Sequence, residues 1–420
     1  MTESGQEREP RLSVEQGADK GDLRVPRAPG EGVRGGRWAD RGRGERLRGP
    51  LRGGPASAML LDTVDRPRSQ RPPDLRPLLE RRPAPFEALP PAARQELLLE
   101  AARHGLLSVV APRLPEGDPA LRARFERLAQ GALLADARLR EVLEEALSAL
   151  SAIGVVPVAL KGPVLADRIY SAPALRPSGD LDLLVAEEEL ERAAAALVER
   201  GFRRADPLVD AYQRRRLHHL HLGRSPGPDV ELHFTPQSAF GARFPAAELF
   251  ARSLLFRTGS GTPVRVLAPE DELVTLAVHA AGHLFERGGW ILDLVLFLER
   301  HPGLLGSVIR ERSGAFRCRR SLAYALRRAA SLGAPLPQGS PLALDPLRRS
   351  LCDRLSRFSP SRHGRWGALV QMAFQMVLRD RALGAIALVG HEAFWVVRRR
   401  AHLAARSLTR RRPPAEDRGR

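Results

Sequence analysis

Asparagine is absent from the 420 residues, and lysine occurs only at Lys20 and Lys161. The other 65 of the 67 basic residues are arginine. Loss of Asn and Lys together, with Ala, Arg, Gly and Pro in excess, is what a very GC-rich genome produces. The net charge of +18 is therefore partly codon usage and says less about partners than its size suggests. Cysteine is scarce too. Cys318 and Cys352 stand 34 positions apart, which excludes a thiolate zinc spacing and a disulfide framework and points to a reducing, cytoplasmic setting. No run of 18 uncharged apolar residues occurs. The longest candidate, Ala382 to Val397, contains His391 and Glu392, so no transmembrane helix is expected. The N-terminus offers Arg, Gly and Glu but no apolar stretch, so no secretory leader is expected. Aromatic residues make up only 5% of a chain that is 43% hydrophobic, so its core is mainly aliphatic.

The charge is uneven along the chain. Residues 1–70 carry net +3 and residues 398–420 net +7, leaving a mild +8 over the 327 residues between. An arginine-rich end can attract phosphates or an anionic surface; a solvated helix end combined with codon bias is the plainer account. Residues 1–57 are rich in Gly, Arg and Pro with almost no apolar periodicity, and are expected to be disordered. Met59 opens a more ordinary stretch, and a chain starting there is expected to fold.

Helical periodicity begins near residue 85. The run Pro119 to Ala152 places Leu121, Phe125, Leu128, Leu133, Leu139, Val142, Leu143, Leu147 and Leu150 at helical spacing, with Asp118 and Pro119 as cap and first residue. The pattern then changes. Val155 to Leu160 reads as a buried strand, Lys161-Gly162-Pro163 as a turn into a short helix, and Leu181 to Val185 as a second strand. A helix over 187–200 follows, with Gly201 behind it. His218 to Leu222, Val230 to Phe234 and Val264 to Leu267 read as further strands. After Pro269 helices are expected over 270–285, 290–300, 318–332, 341–357, 365–379 and 383–408. The fold class is α+β: an N-terminal helical region over 85–152, a mixed sheet with flanking helices over 153–267, a helical region over 268–410 and a basic tail over 411–420.

Chemistry concentrates at Gly179-Asp180-Leu181-Asp182-Leu183-Leu184-Val185. Side chains at i and i+2 of a strand share a face, so Asp180 and Asp182 stand together while Leu181 and Leu183 pack behind. Two such carboxylates repel unless a cation lies between them, and hard oxygen ligands in this arrangement suit Mg²⁺ or Mn²⁺. On that reasoning, neutralising either acid should leave stability unchanged or raise it slightly. A third acid, Glu231, lies on another predicted strand. Three carboxylates from neighbouring strands can hold two metal ions for phosphoryl transfer. Lys161-Gly162 opens a helix just upstream, and free N–H groups at a helix start bind anions.

These residues carry a resemblance. Leu160-Lys161-Gly162, Leu165, Tyr170, Arg176, the run from Gly179 to Val185 and Glu231-Leu232-His233 resemble a bacterial nucleotidyltransferase family of the DNA polymerase beta-like superfamily. The similarity continues through Pro269-Glu270-Asp271-Glu272-Leu273, His279, His283 and Trp290-Ile291-Leu292-Asp293, over roughly residues 85–335. It implies a nucleotidyltransferase-type sheet and transfer of a nucleoside monophosphate from an NTP to an acceptor that the sequence does not identify. It also implies phosphate contacts at Lys161 and Gly162, and metal binding and catalysis at Asp180, Asp182 and Glu231. Lys-Gly stands where the wider superfamily has Gly-Gly or Gly-Ser, so an ammonium replaces a hydroxyl contact.

Arg176 and Gly179 sit at the same strand end, and an arginine fork there can hold a phosphate; a solvated loop charge is the alternative. His279 and His283 lie at i, i+4 on a helix and, with Asp293, could ligate zinc. Partly buried histidines facing the site are the plainer reading. They and His233 are candidate substrate-side groups. His219 and His221 share a strand face and read as alternating polar positions. Two rival functions remain open at this stage: a non-catalytic nucleotide-binding or scaffold protein of a surface-polysaccharide or peptide-modification pathway, and a basic nucleic-acid or membrane-surface binder.

Overall fold

A computed structural model describes residues 89–381, apart from 238, 337–343 and 357–364. The expectations for residues 1–57, the helix over 383–408 and the tail over 411–420 lie outside the described residues. The main helices before the sheet are α1 (Pro91–Arg103) and α2 (Pro119–Ala152), with a four-residue helix Leu107–Val110 between them. The long α2 starts where the sequence predicts, because the Asp118 carboxylate accepts the Leu121 N–H at 3.0 Å and Pro119 needs no partner at the first position.

The mixed sheet has seven strands in the order β3-β4-β5-β2-β1-β7-β6. They are β1 (Val158–Ala159), β2 (Asp180–Leu184), β3 (Arg203–Arg204), β4 (His219–Gly223), β5 (Asp229–His233), β6 (Leu254–Arg257) and β7 (Pro263–Val266). Helices α3 (Gly162–Ile169) and α4 (Leu190–Glu199) follow β1 and β2, and α5 (Ala246–Arg252) precedes β6. Strand β2 runs parallel to β5 and antiparallel to β1. After β7 the described residues form only helices: α6 (Pro269–Gly282), α7 (Gly288–Arg300), α8 (Ser307–Ala315), α9 (Arg319–Ala330), α10 (Pro346–Leu355) and α11 (Arg365–Leu378).

The two faces of the sheet belong to different cores. Leu181, Leu183, Leu220, Leu222, Val230 and Leu232 pack with α2 and α4. Val158, Leu160 and Leu184 pack with Leu165 of α3 and with α6, α7 and α9. Leu181 and Leu183 are fully buried, and each contributes ~1.5–3 kcal/mol of apolar burial. A one-residue slip of β2 would exchange them for Asp180 and Asp182, so burial on the α2/α4 side fixes the register that presents the acids on the other face.

Several elements differ from expectation. β1 is two residues long rather than Val155–Leu160: Val155 N–H closes the end of α2 on the Leu150 carbonyl at 2.9 Å, and Pro157 has no N–H to give to a ladder. β3 carries no apolar signal, and β6 is an edge strand with Leu254 and Leu255 half exposed. Helix α8, SVIRERSGA, is too polar to announce itself by periodicity. Among the described residues no helix is long and apolar enough to cross a membrane.

Candidate active site

Parallel pairing of β2 with β5 sets Asp182 opposite Glu231 and Asp180 opposite Asp229, so the acids of the two strands stand side by side. Oxygens of Asp180, Asp182 and Glu231 all lie within 4.8 Å of one another. The antiparallel β4 brings His219 opposite His233 and His221 opposite Glu231.

Two built-in cations meet these acids. Lys161, the last residue before α3, holds its ammonium 3.0 Å from Asp182 Oδ2. That buried oxygen has no hydrogen bond of good geometry. His233 Nε2 lies 2.9 Å from Asp182 Oδ1 and 3.3 Å from Glu231 Oε2, and His219 Nδ1 lies 3.4 Å from Glu231 Oε2. Burial alone would drive His233 towards neutrality. The hydrogen bonds to Asp182 and Glu231 outweigh it and push its pKa up to about 9, so the imidazole is a cation at neutral pH. Lys161 is likewise held charged: burial opposes this, but Asp182, Asp180 and Glu231 prevail. His219 goes the other way, down to about 4, because burial and the His233 charge outweigh its pull from Glu231.

The acids respond unequally. Asp182 stays well below the usual carboxylate range: burial works against its charge, and Lys161 and His233 more than offset that. Asp180 is pushed up to about 6 by the Asp182 charge and by burial, with Lys161 compensating only in part. The expectation that the two acids would behave alike is thus corrected: Asp182 has its own partners, and Asp180 carries the repulsion. Three hard carboxylate oxygens converging with one acid left under-compensated is a donor set that fits Mg²⁺ or Mn²⁺. His219, Glu231 and His233 form a second convergent group of possible ligand atoms.

Gly162 opens α3 at φ +69°, a conformation that glycine alone adopts at low cost, so the peptide can turn from β1 into the helix. Gly179 is exposed immediately before β2. Arg176 is placed differently from the sequence expectation. Its Nε and Nη2 donate to Asp293 Oδ1 and Oδ2 at 2.9 and 2.8 Å, and Nη1 donates to Ser178 Oγ at 2.6 Å. Tyr170 donates to the same carboxylate at 2.6 Å. Arg176 is buried and its fork is committed to Asp293, so it ties the loop before β2 to α7 rather than presenting an open phosphate clamp. This pairing also removes Asp293 from a zinc site with His279 and His283. Those two rings pack against each other and against Trp290 in tilted and edge-on contacts, with centroids 4.8, 5.2 and 4.9 Å apart. His279 Nδ1 accepts from Gln237 at 3.1 Å, and its buried Nε2 has no hydrogen-bond partner.

Sequence reasoning missed the bridging position of His233 and the contact of His219 with Glu231. The signal was present. His233 stands two residues after Glu231 on one strand, and a hairpin turn at Ser225–Pro228 puts His219 across from it. A cavity of about 1370 Å³ lies elsewhere: none of Asp180, Asp182 and Glu231 lines it.

Residues 90–334 match the family model described as uncharacterised nucleotidyltransferase. No curated protein matches the sequence significantly. The matched segment is more than half of the chain, its ends enclose the whole sheet and the three clustered acids, and the chain therefore belongs to this nucleotidyltransferase family, whose members are transferases of phosphorus-containing groups.

Proposed function

We propose that the protein moves a nucleoside monophosphate from an NTP to an acceptor hydroxyl or phosphate, with Mg²⁺ or Mn²⁺ held by Asp180, Asp182 and Glu231. The observation that carries this reading is the convergence of three carboxylates from β2 and β5 beside the start of α3. A bound divalent cation supplies charge neutralisation on the phosphates and polarises the phosphorus under attack. The chain's own groups do the rest. Lys161 and the first N–H groups of α3 hold the phosphates, with the positive helix end favouring their charge. The acceptor oxygen forms a bond to the α-phosphorus as the bond to the bridging oxygen breaks, and pyrophosphate leaves. Where the acceptor is a hydroxyl, Glu231 takes its proton; the carboxylate is kept ionised because His233 and His219 more than offset the effect of burial. Arg176 acts as a positioning residue, fixing the loop that delivers Gly179 and Asp180. His279, with an unpartnered Nε2 and its pKa lowered by burial and then by Lys161, is a neutral donor for the substrate side, with His283 packed behind it.

Calorimetric titration of Mn²⁺ with a non-hydrolysable NTP tests the reading. Wild type should bind the metal–nucleotide complex, and Glu231→Gln and Asp180→Asn should each weaken it at least tenfold. Equal binding by all three proteins would overturn the assignment of the acids.

A further inference from the structure

Beyond the ends of β2 and β5 lies a cavity of about 1370 Å³. It begins at Ala186 and Phe234, the former four residues past Asp182 and the latter three past Glu231. At ~3.3 Å per strand residue its near edge is ~10–13 Å from the acids. Gln237 on its wall donates to His279 Nδ1, so the cavity adjoins the substrate-side histidines without including the acids.

Three segments converge on it. The turn after β5 brings Arg243 and Phe244, the α8–α9 junction brings Arg317, and the segment after α11 brings Arg381. They are tied together by backbone contacts. Arg243 N–H donates to the Phe316 carbonyl at 2.9 Å. Asp380 accepts the N–H groups of Arg319 and Arg320 at the start of α9 at 2.8 and 3.0 Å, so its charge is turned to that helix. Arg243, Arg317 and Arg381 make no ion pair or side-chain hydrogen bond with any described residue. The charged groups acting on Arg317 are Arg243 and Arg381, like charges that add to desolvation in disfavouring its cation. Acids are present on the cavity wall at Glu187 and Glu188, on the turn after β2.

Arg317 also stands where glycine would be easier. It follows the C-cap of α8 at φ +57°, with its N–H on the Gly314 carbonyl at 3.1 Å and the Cys318 N–H on the Ser313 carbonyl at 2.9 Å. This is the helix-terminating geometry that favours glycine. A bulky cation in a left-handed position, beside two others without counter-charges, is an arrangement that folding alone does not favour. Phe234, Phe244 and Phe250 give the same cavity an aromatic wall.

We infer that this cavity is a second binding site, taking a phosphate-bearing molecule with an apolar portion: three guanidinium groups meet the phosphate and the phenylalanine wall covers the apolar part. Several guanidinium groups around one space suit a multiply charged phosphate better than a single carboxylate. The inference does not depend on the transfer reaction.

The full chain should be titrated calorimetrically with phenyl phosphate, inorganic phosphate and phenol. Phenyl phosphate should bind more tightly than either of its halves, and its affinity should fall with added salt. Arg317→Gly should weaken binding at least tenfold with no loss of thermal midpoint, since glycine suits that backbone. Arg243→Gln should weaken it similarly, and decides the matter if the first variant folds poorly. Absence of phenyl phosphate binding, equal affinity for phenol, or equal affinity in the arginine variants would each overturn the inference.

Discussion

Replacing Asp180 by Asn should make the metal-free protein more stable, and replacing Asp182 by Asn should make it less stable. The acids lie two residues apart on β2, yet their surroundings are opposite in sign. Asp180 is held at about 6 against an ordinary 3.8, mainly by the Asp182 charge and by burial. A displacement of that size corresponds to ~3 kcal/mol of destabilisation when the group is ionised. Its sign follows from proton binding. The folded state holds the Asp180 proton more tightly than the unfolded state, so the penalty is absent below about 3.8, grows as pH rises, and is complete above about 6. Asn removes the repulsion but also the attraction to Lys161, so a gain of ~1–3 kcal/mol at pH 7.5 is expected. At ~2–4 °C per kcal/mol this is a midpoint higher by several degrees. Asp182→Asn instead strands Lys161 and His233 beside a neutral amide. Breaking a buried pair from one side costs ~3–5 kcal/mol. Thermal unfolding in excess chelator, at pH 7.5 and again near pH 4, measures both. The Asp180→Asn advantage should fade at the lower pH. Shifts of the same sign for the two variants at pH 7.5 would refute the division of roles between the acids.

Other outcomes follow from the same geometry. Mn²⁺ affinity should decline as pH falls below about 6, because a proton then competes for Asp180; a flat titration from pH 7.5 to 5 would contradict this. Gly162→Ala forces an L side chain to φ +69° and should lower stability by ~1–2 kcal/mol, with a matching loss of nucleotide affinity seen by calorimetry. Arg176→Met leaves the buried Asp293 carboxylate with Tyr170 alone, and should lower the unfolding free energy by ~3–5 kcal/mol in denaturant. Its loss of nucleotide affinity should be smaller than that of Lys161→Met.

The acids were legible because a strand's two-residue period is simple. Asp180 and Asp182 alternate with Leu181 and Leu183, and the alternation both forms the strand and chooses the face that carries the acids. The Asp118-Pro119 start of α2 was legible for a similar reason, since a cap acts within one turn. Long-range pairing was not. Arg176 reads as an open phosphate clamp until its partner, Asp293, is known, and that partner lies 117 residues away. His233 reads as a substrate-side candidate until its contacts with Asp182 and Glu231 show that it bridges the acids. The edge strands β3 and β6 were hidden because the first has no apolar residue and the second exposes two leucines.

The central claim is that the clustered acids serve transfer of a nucleotide. Its most direct test is a paired labelling experiment: the protein, Mg²⁺ and a cell lysate are incubated with NTPs labelled at the α- or the γ-phosphorus. The account predicts that α-label enters an acceptor while γ-label is released as pyrophosphate, and that both changes vanish in Asp182→Asn and Glu231→Gln. Transfer of γ-label to an acceptor, or α-label transfer that persists in those two variants, would contradict it.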